Sequence, residues 1–348
     1  MSKFLQMHIL TNYGPSNLNR DDMNRPKTAI IGGVQRLRIS SQCLKRAWRT
    51  SDVFESSLAG NIGTRTKAMG NKIFEDLKQG GIKDKDAQEW AVKIVGVFGK
   101  NKVKDKKVQL EIEQLVHFSP EEILLMDELV KKLISRKSGP SDEELGLIRE
   151  NRKAVDIAMF GRMLADNPKY NSEAAVQVSH AFTIHKAAVE DDYFSAVDDL
   201  NKHEEHSGSG HIGEAEFGAG LFYLYICIDR KLLKDNLGGN NDLAKKAIEA
   251  LVESAATVSP TGKQNSFASR AYAAYILAEK SDKQPRSLAA SFLKPVSSED
   301  IEASATEKIK ETRKNFNKAY GDETKEYELN TLIGEGTLEG LKKYCSEE

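Results

Sequence analysis

The longest apolar run in the sequence, Leu221 to Ile228 (LFYLYICI), is rich in branched and aromatic side chains. It is far too short to cross a bilayer and reads as a buried strand. A second strand-like stretch opens the chain. There MSKFLQMHILTN alternates apolar and polar residues and lacks a small-residue cleavage site, so a first strand is expected and not a signal peptide. Whatever lies between these strands must be inserted into, or wrapped around, the sheet that holds both.

What lies between them is mostly helical in period. Helices are expected over Thr66–Gln79, Lys85–Phe98, Glu121–Ile134, and Asp142 to about Met163. Residues 168–218 are irregular and rich in Gly, His and acids. Strand signals return at 219–230 and 264–278, with a helix near 242–257 and a last helix over 298–320. The order implies an α+β sheet domain interrupted by two excursions, one helical and one irregular. The length of 348 residues suits about two domains or one with large insertions. Cys43, Cys227 and Cys345 are far apart with no CxxC, so no disulfide framework or zinc knuckle is implied and a reducing cytoplasm is expected.

The formal net charge is −1, from 51 Lys and Arg against 52 Asp and Glu. That sum conceals two opposite segments. Residues 1–50 carry nine bases (Lys3, Arg20, Arg25, Lys27, Arg36, Arg38, Lys45, Arg46 and Arg49) against Asp21 and Asp22, a balance of +7 that leaves −8 for the rest. Residues 190–216 carry nine acids against Lys202, again −8. The two segments can be a polyanion site and a head-to-tail contact, or simply two solvated surfaces. Lys100, Lys102, Lys104, Lys106 and Lys107, and the cluster Lys131, Lys132, Arg136 and Lys137, read first as solubilising charge.

Several short patterns fail their structural context. Gly208 to Gly213 (GSGHIG) matches GxGxxG, yet a polar stretch precedes it and no helix pattern follows, so a loop or hairpin is preferred over a dinucleotide site. His203, Glu204, Glu205, His206 and His211 lack HExxH spacing and read as a solvated acidic loop. His180 and His185 lie in a strand-like alternation with no nucleophile motif beside them, so packing roles are preferred. Asp21-Asp22 could hold a metal, but charge balance against Arg20 and Arg25 is the simpler reading.

The strongest constellation is RLRISSQCLKRAWR, residues 36–49. Ser40-Ser41 suits a helix N-cap. On the helix that follows, Gln42, Lys45, Arg46 and Arg49 fall within about 100° of arc, opposite Leu44, Ala47 and Trp48. A helix N-terminus, two hydroxyls and a cationic face form a phosphate-binding surface that would read nucleic-acid backbone and not base edges.

The wider segment SNLNRDDMNRPKTAIIGGVQRLRISSQCLKRAWR, residues 16–49, resembles the repeated backbone subunit of the type I-E CRISPR surveillance complex, the Cascade CasC family. Further matches are VDIAMFGRM (155–163), Ser179–Thr183 with His185, YFSAVDDL (193–200), His211-Ile212-Gly213 through Glu216-Phe217, NLGG (236–239) and TLEGL (337–341). Residues 51–150 and 281–330 carry little that aligns.

The resemblance implies an RRM-like (ferredoxin-like) palm of residues 1–60 plus 219–348, a helical fingers insertion over 61–165 and a β-hairpin thumb over 166–218. It implies a non-catalytic crRNA-binding subunit that stacks head to tail with further copies of itself and kinks the guide at regular intervals. Partners would be the crRNA, the target DNA strand and the other Cascade subunits (large, small, 5′-end cap and crRNA-processing), with no membrane and no cofactor.

Carried over by motif, the palm's RNA contacts would be Arg20, Lys27, Ser40, Gln42, Lys45, Arg46 and Arg49, with Lys263 and Gln264 a weaker match. The position of Arg49 is often Lys in the family, and either cation suits a phosphate. Arg162, Met163, Phe194, Ser195, His211 and Ile212 would contact the kinked RNA, Met163, Phe194 and Ile212 serving as an apolar wedge. Backbone contacts would let one protein carry any guide, sequence being read by base pairing. Phe4, Met7 and Ile9 of the first strand look like core, so this palm should bind phosphates more than it stacks bases. The alternative is a metal-dependent RNA-cleaving subunit using Asp21 or Asp22, as in type III relatives. A third reading is a standalone RNA-binding module.

Overall fold

The structure is a computed structural model and describes residues 2–101, 110–148, 153–164, 168–196, 211–322 and 324–347. Its strands are β1 (Phe4–Ser16), β2 (Thr28–Ile31), β3 (Val34–Ile39), β4 (Thr64–Thr66), β5 (Val116–Phe118), β6 (Val176–Val178), β7 (Ala181–Thr183), β8 (Glu190–Ala196), β9 (His211–Asp229), β10 (Ala273–Ser281) and β11 (Lys325–Asn330). Its helices are α1 (Ser41–Arg49), α2 (Asp52–Ser57), α3 (Met69–Gln79), α4 (Asp84–Gly96), α5 (Pro120–Arg136), α6 (Asp142–Leu147), α7 (Val155–Phe160), α8 (Arg230–Asn236), α9 (Asn241–Thr257), α10 (Gln264–Phe267), α11 (Ile301–Tyr320) and α12 (Leu338–Ser346). No helix among the described residues is long and apolar enough to cross a membrane.

The chain divides into two compact units. The first comprises residues 1–54, 177–228 and 248–348. Its sheet runs β11-β10-β1-β9-β7-β3-β2, with β8 paired to β9 off that path. The pairs β1–β10, β10–β11, β2–β3, β3–β7, β7–β9 and β8–β9 are antiparallel. Six consecutive buried positions in β1, Leu5–Leu10, show a strand covered on both faces. LFYLYICI lies inside β9, which pairs with β7 through Phe182↔Tyr223 and Thr183↔Phe222. Ala305 and Ile309 of α11 pack against Leu10, Tyr275 and Leu277 of the sheet.

The second unit comprises residues 55–176 and 229–247. Its core joins α3, α4 and α5 through Ile73, Leu77, Trp90, Ile94, Met126 and Leu133. Ser119 and Glu122 form a reciprocal capping box at the start of α5, with Pro120 in the first turn. β4 and β5 form a separate two-stranded sheet.

β1 continues to Ser16, and β2 and β3 form a hairpin over Gly32 (φ 60°) and Gly33 (φ 78°), the two left-handed residues that a tight turn of this twist requires. Three expectations need correction. Thr64–Thr66 is strand, so the first expected helix starts at Met69. The helix expected from Asp142 to Met163 is two: α6 starts at its own Ser141–Glu144 capping box, and α7 ends at Gly161 with φ 80°. The strand expected from 264 starts at Ala273, because Lys263 and Ala268 adopt left-handed backbone around the single turn of α10. Lys102, Lys104, Lys106, Lys107, most of the GSGHIG motif and the His203–His206 cluster lie outside the described residues.

Candidate nucleic-acid interface

α1 forms as its sequence dictates. Ser40 is extended at the N-cap and its Oγ accepts from the Cys43 backbone N–H at 3.3 Å. Leu44, Ala47 and Trp48 are buried, which turns Gln42, Lys45, Arg46 and Arg49 outward. Gln42 and Arg46 are exposed and Lys45 and Arg49 are half-buried. Partial burial pulls the Lys45 ammonium below its usual range, the direction expected for a cation that has lost water.

The loop over residues 17–27 is tied to the start of α1. Asn19 Oδ1 accepts from the Ser40 backbone N–H at 2.9 Å. Lys27 N–H donates to Asn19 O, and Arg38 N–H donates to Lys27 O at 2.7 Å. Lys27 thus stands beside α1, while Arg20 is exposed and bridges Pro26 across the loop. A third segment joins from far along the chain. A Cβ placed on Gly262 would lie 2.3 Å from Leu18 O, so only glycine allows the 261–264 turn to lie against residues 17–18. That contact brings Lys263 and Gln264 to the loop that carries Arg20.

Arg38, which was not among the expected contacts, completes the patch. Its Nη1 lies 2.6 Å from His180 Nδ1. Burial, then Arg38 and Lys27, lower the His180 pKa, so the imidazole is neutral and accepts from the guanidinium. Period-two alternation in RLRIS places Arg36 and Arg38 on one face and could have flagged it. Arg36, counted as part of the basic cluster, is a correction. It is fully buried and donates to Thr183 O at 2.8 Å and Phe292 O at 3.1 Å.

β8 and β9 make a hairpin whose register sets Phe194 opposite Gly213, Ser195 opposite Ile212 and Ala196 opposite His211. Paired residues share a face and neighbours alternate, so Phe194 and Ile212 project from opposite faces. Both are exposed, at 44% and 56%. A Cβ on Gly213 would lie 2.4 Å from the Phe194 ring, so the ring lies over the glycine. The base of the hairpin is tied to the basic loop: Asn17 Nδ2 donates to Glu216 O at 2.8 Å, and Arg25 pairs with the Glu216 carboxylate at 3.0 Å. One acid of the acidic segment is therefore engaged within the chain.

In the helical unit, Met163 is 78% exposed. Arg162 just before it is a second correction. Its side chain is 3% exposed and meets Glu122 at 2.7 Å, with a further bond to His117 O. Burial and the pairing of Nη1 with Glu122 and His117 O turn it away from any RNA. Asp21 Oδ1 accepts from the Met23 and Arg25 backbone N–H groups, each at 2.9 Å, and so closes a turn. No group of three or more potential metal ligands occurs among the described residues.

The geometry is a cationic surface assembled from α1, the 17–27 loop, Arg38 and the 262–264 turn. It is suited to a sugar–phosphate backbone. Among solved structures, a chain described as "CRISPR RNA-guided surveillance complex, pre-nicking" shares 28% identity with a TM-score of 0.81, over 92% of this chain and 90% of that one. A chain described as "CRISPR RNA-guided surveillance complex" shares the fold at 21% identity and a TM-score of 0.73, over 99% of both. No curated protein sequence matches. The sequence matches the family described as CT1975-like protein over residues 5–343, and with that span covered the chain belongs to that family.

Proposed function

We propose that this chain is a non-catalytic guide-RNA-binding backbone subunit of a type I-E Cascade-type surveillance complex. Several copies stack head to tail along one crRNA and present it for pairing with target DNA. In this reading the sheet with α1 is an RRM-like palm, the helical insertion is the fingers, and the β8–β9 hairpin is the thumb. The observation that carries it is the convergence of Arg20, Lys27, Lys45, Arg46, Arg49 and Lys263 on one surface from three chain segments. Likeness to chains of RNA-guided surveillance complexes supports the RNA as ligand. The exposed Met163, Phe194 and Ile212 supply apolar side chains that can unstack bases, at a cost of a few kcal/mol per step.

The test is to purify the chain with its co-expressed complex, sequence the bound RNA and count subunits per RNA. Several copies per crRNA are expected, and one copy at saturation would reject the filament. The nuclease reading is tested in the same preparation, with Mg²⁺ and labelled complementary RNA. Asp21, whose Oδ1 closes a turn, and the exposed Asp22 are its candidates. Periodic cleavage abolished by Asp22→Ala or by Asp21→Ala would replace the non-catalytic reading.

A further inference from the structure

A cleft of about 830 Å³ opens where α1 ends. Thr50, Ser51, Thr261, Gln264, Arg270 and Tyr272 are among the residues that line it. None of them belongs to the phosphate-binding helix face itself, and only Gln264 figures among the expected RNA contacts. The volume is that of an ordinary small-ligand site.

Three observations say what would enter it. Tyr272 is 74% exposed, an aromatic ring offered to solvent at the cleft rim, and Arg270 beside it is exposed as well. A phenol ring and a planar guanidinium are the two surfaces on which proteins stack unpaired bases. The remaining lining is largely apolar, with Ala47, Val53, Val258 and Ala271 beside several hydroxyls, the amide of Gln264 and one carboxylate, Asp52, so it offers a flat apolar ligand cover together with a few donors and acceptors. The wall formed by α10 is held in an uncommon conformation. Lys263 (φ 51°) and Ala268 (φ 48°) are both left-handed without being glycine, and Ala268 has no polar side chain to compensate. Strain of that kind concentrates at ligand clamps. Thr50 also continues directly from Arg49, so a backbone held on α1 passes the cleft mouth.

We propose that this cleft receives one unstacked nucleobase, with its ribose, from the guide RNA bound on α1. The proposal rests on the guide-RNA reading above. Tyr272 stacks the base, Arg270 covers or bonds its edge, and Gln264 and Thr50 take the ribose hydroxyl and the phosphate that follows.

The experiment uses the assembled complex with its native guide and probes base reactivity along the RNA. Tyr272→Ala should raise the reactivity of one base per subunit repeat by roughly fivefold or more, the loss expected for one stacked base. Tyr272→Phe should restore protection. The salt dependence of RNA binding should stay unchanged, since no phosphate contact is removed. With 4-thiouridine in the guide, photo-crosslinking should label the peptide that contains Tyr272. Retained RNA with unchanged reactivity in Tyr272→Ala and no crosslink there would overturn the cleft assignment while leaving the guide-RNA reading intact. Subunits that separate from one another in Tyr272→Ala, with base reactivity unchanged, would assign the cleft to a protein partner and reject the proposal. A complex that carries no RNA would reject both.

Discussion

The guanidinium of Arg162 lies 2.7 Å from the Glu122 carboxylate, and both side chains are out of solvent. Glu122 also accepts from the Ser119 backbone N–H at 2.8 Å, so one carboxylate caps α5 and holds the arginine that precedes the exposed Met163. Removing either partner leaves an uncompensated buried charge. Glu122→Ala or Arg162→Ala should each cost about 3–5 kcal/mol of stability in denaturant unfolding. The double variant should cost less than the sum. If Arg162 touched RNA directly, Arg162→Ala would instead weaken RNA binding at unchanged stability.

The α1 face predicts a sequence-blind loss. Lys45→Ala with Arg49→Ala should weaken RNA binding equally for all guides. It should also lower the slope of log affinity against log salt by roughly one per cation removed. The measurement is salt-dependent binding with several unrelated guides. A loss that varied with guide sequence would show base reading in place of phosphate contact.

The hairpin predicts separable effects, because Phe194 and Ile212 occupy opposite faces. Phe194→Ala and Ile212→Ala should each alter the periodic pattern of RNA protection, and the double variant should abolish it. Gly213→Ala should displace the Phe194 ring, since its Cβ would fall 2.4 Å from that ring, and reproduce the Phe194→Ala footprint. An identical footprint in wild type and the double variant would remove the wedge role.

A buried polar cluster predicts acid sensitivity. His8 Nε2 lies 3.0 Å from Glu279 Oε2 and its Nδ1 2.9 Å from Tyr223 Oη. Arg286 and Arg313 also meet Glu279. Complete burial lowers the His8 pKa from 6.5 despite the carboxylate, and the two arginines oppose a third cation. His8 is thus neutral, donating through Nε2 to Glu279 and accepting at Nδ1 from Tyr223. The unfolded chain binds a proton below pH 6.5 that the folded one refuses, so stability is full above that value and declines below it. Although burial opposes its charge, the bonds from His8 and Arg286 hold Glu279 well below its ordinary 4.5, so its contribution is present above that value and lost at lower pH. Melting temperature should fall from pH 7 to 5 and fall further toward pH 3. His8→Gln should flatten only the first part.

The local elements were legible because their signals are local. Ser40 as N-cap, the opposed faces of α1 and the buried strand at Leu221–Ile228 each follow from residues within one or two turns of one another. The β2–β3 hairpin is less legible, although Gly32-Gly33 marks its turn, because β2 is only the four residues TAII, too short for a period-two pattern to show. The break between α6 and α7 is not legible because no Gly or Pro lies between Leu147 and Val155, and the extended backbone of Ala154 sets it only in the fold.

By itself the sequence determined where the charges are and which short segments carry helix or strand. It also carried the motif that placed the chain in its family. Only the tertiary structure decided what each charge does. Arg36 and Arg162 look like Arg38 and Arg46 in composition, yet the first two are buried against carbonyls and a carboxylate. The third is bonded to His180 and the fourth is open to solvent. Their partners come from positions 40 to 256 residues away in the chain. The desolvation cost of a guanidinium is met or not met by those partners alone. The same holds for the surface that joins Arg20, Lys27 and Lys263. It exists because Gly262 lets two distant loops touch, a contact that no periodicity encodes.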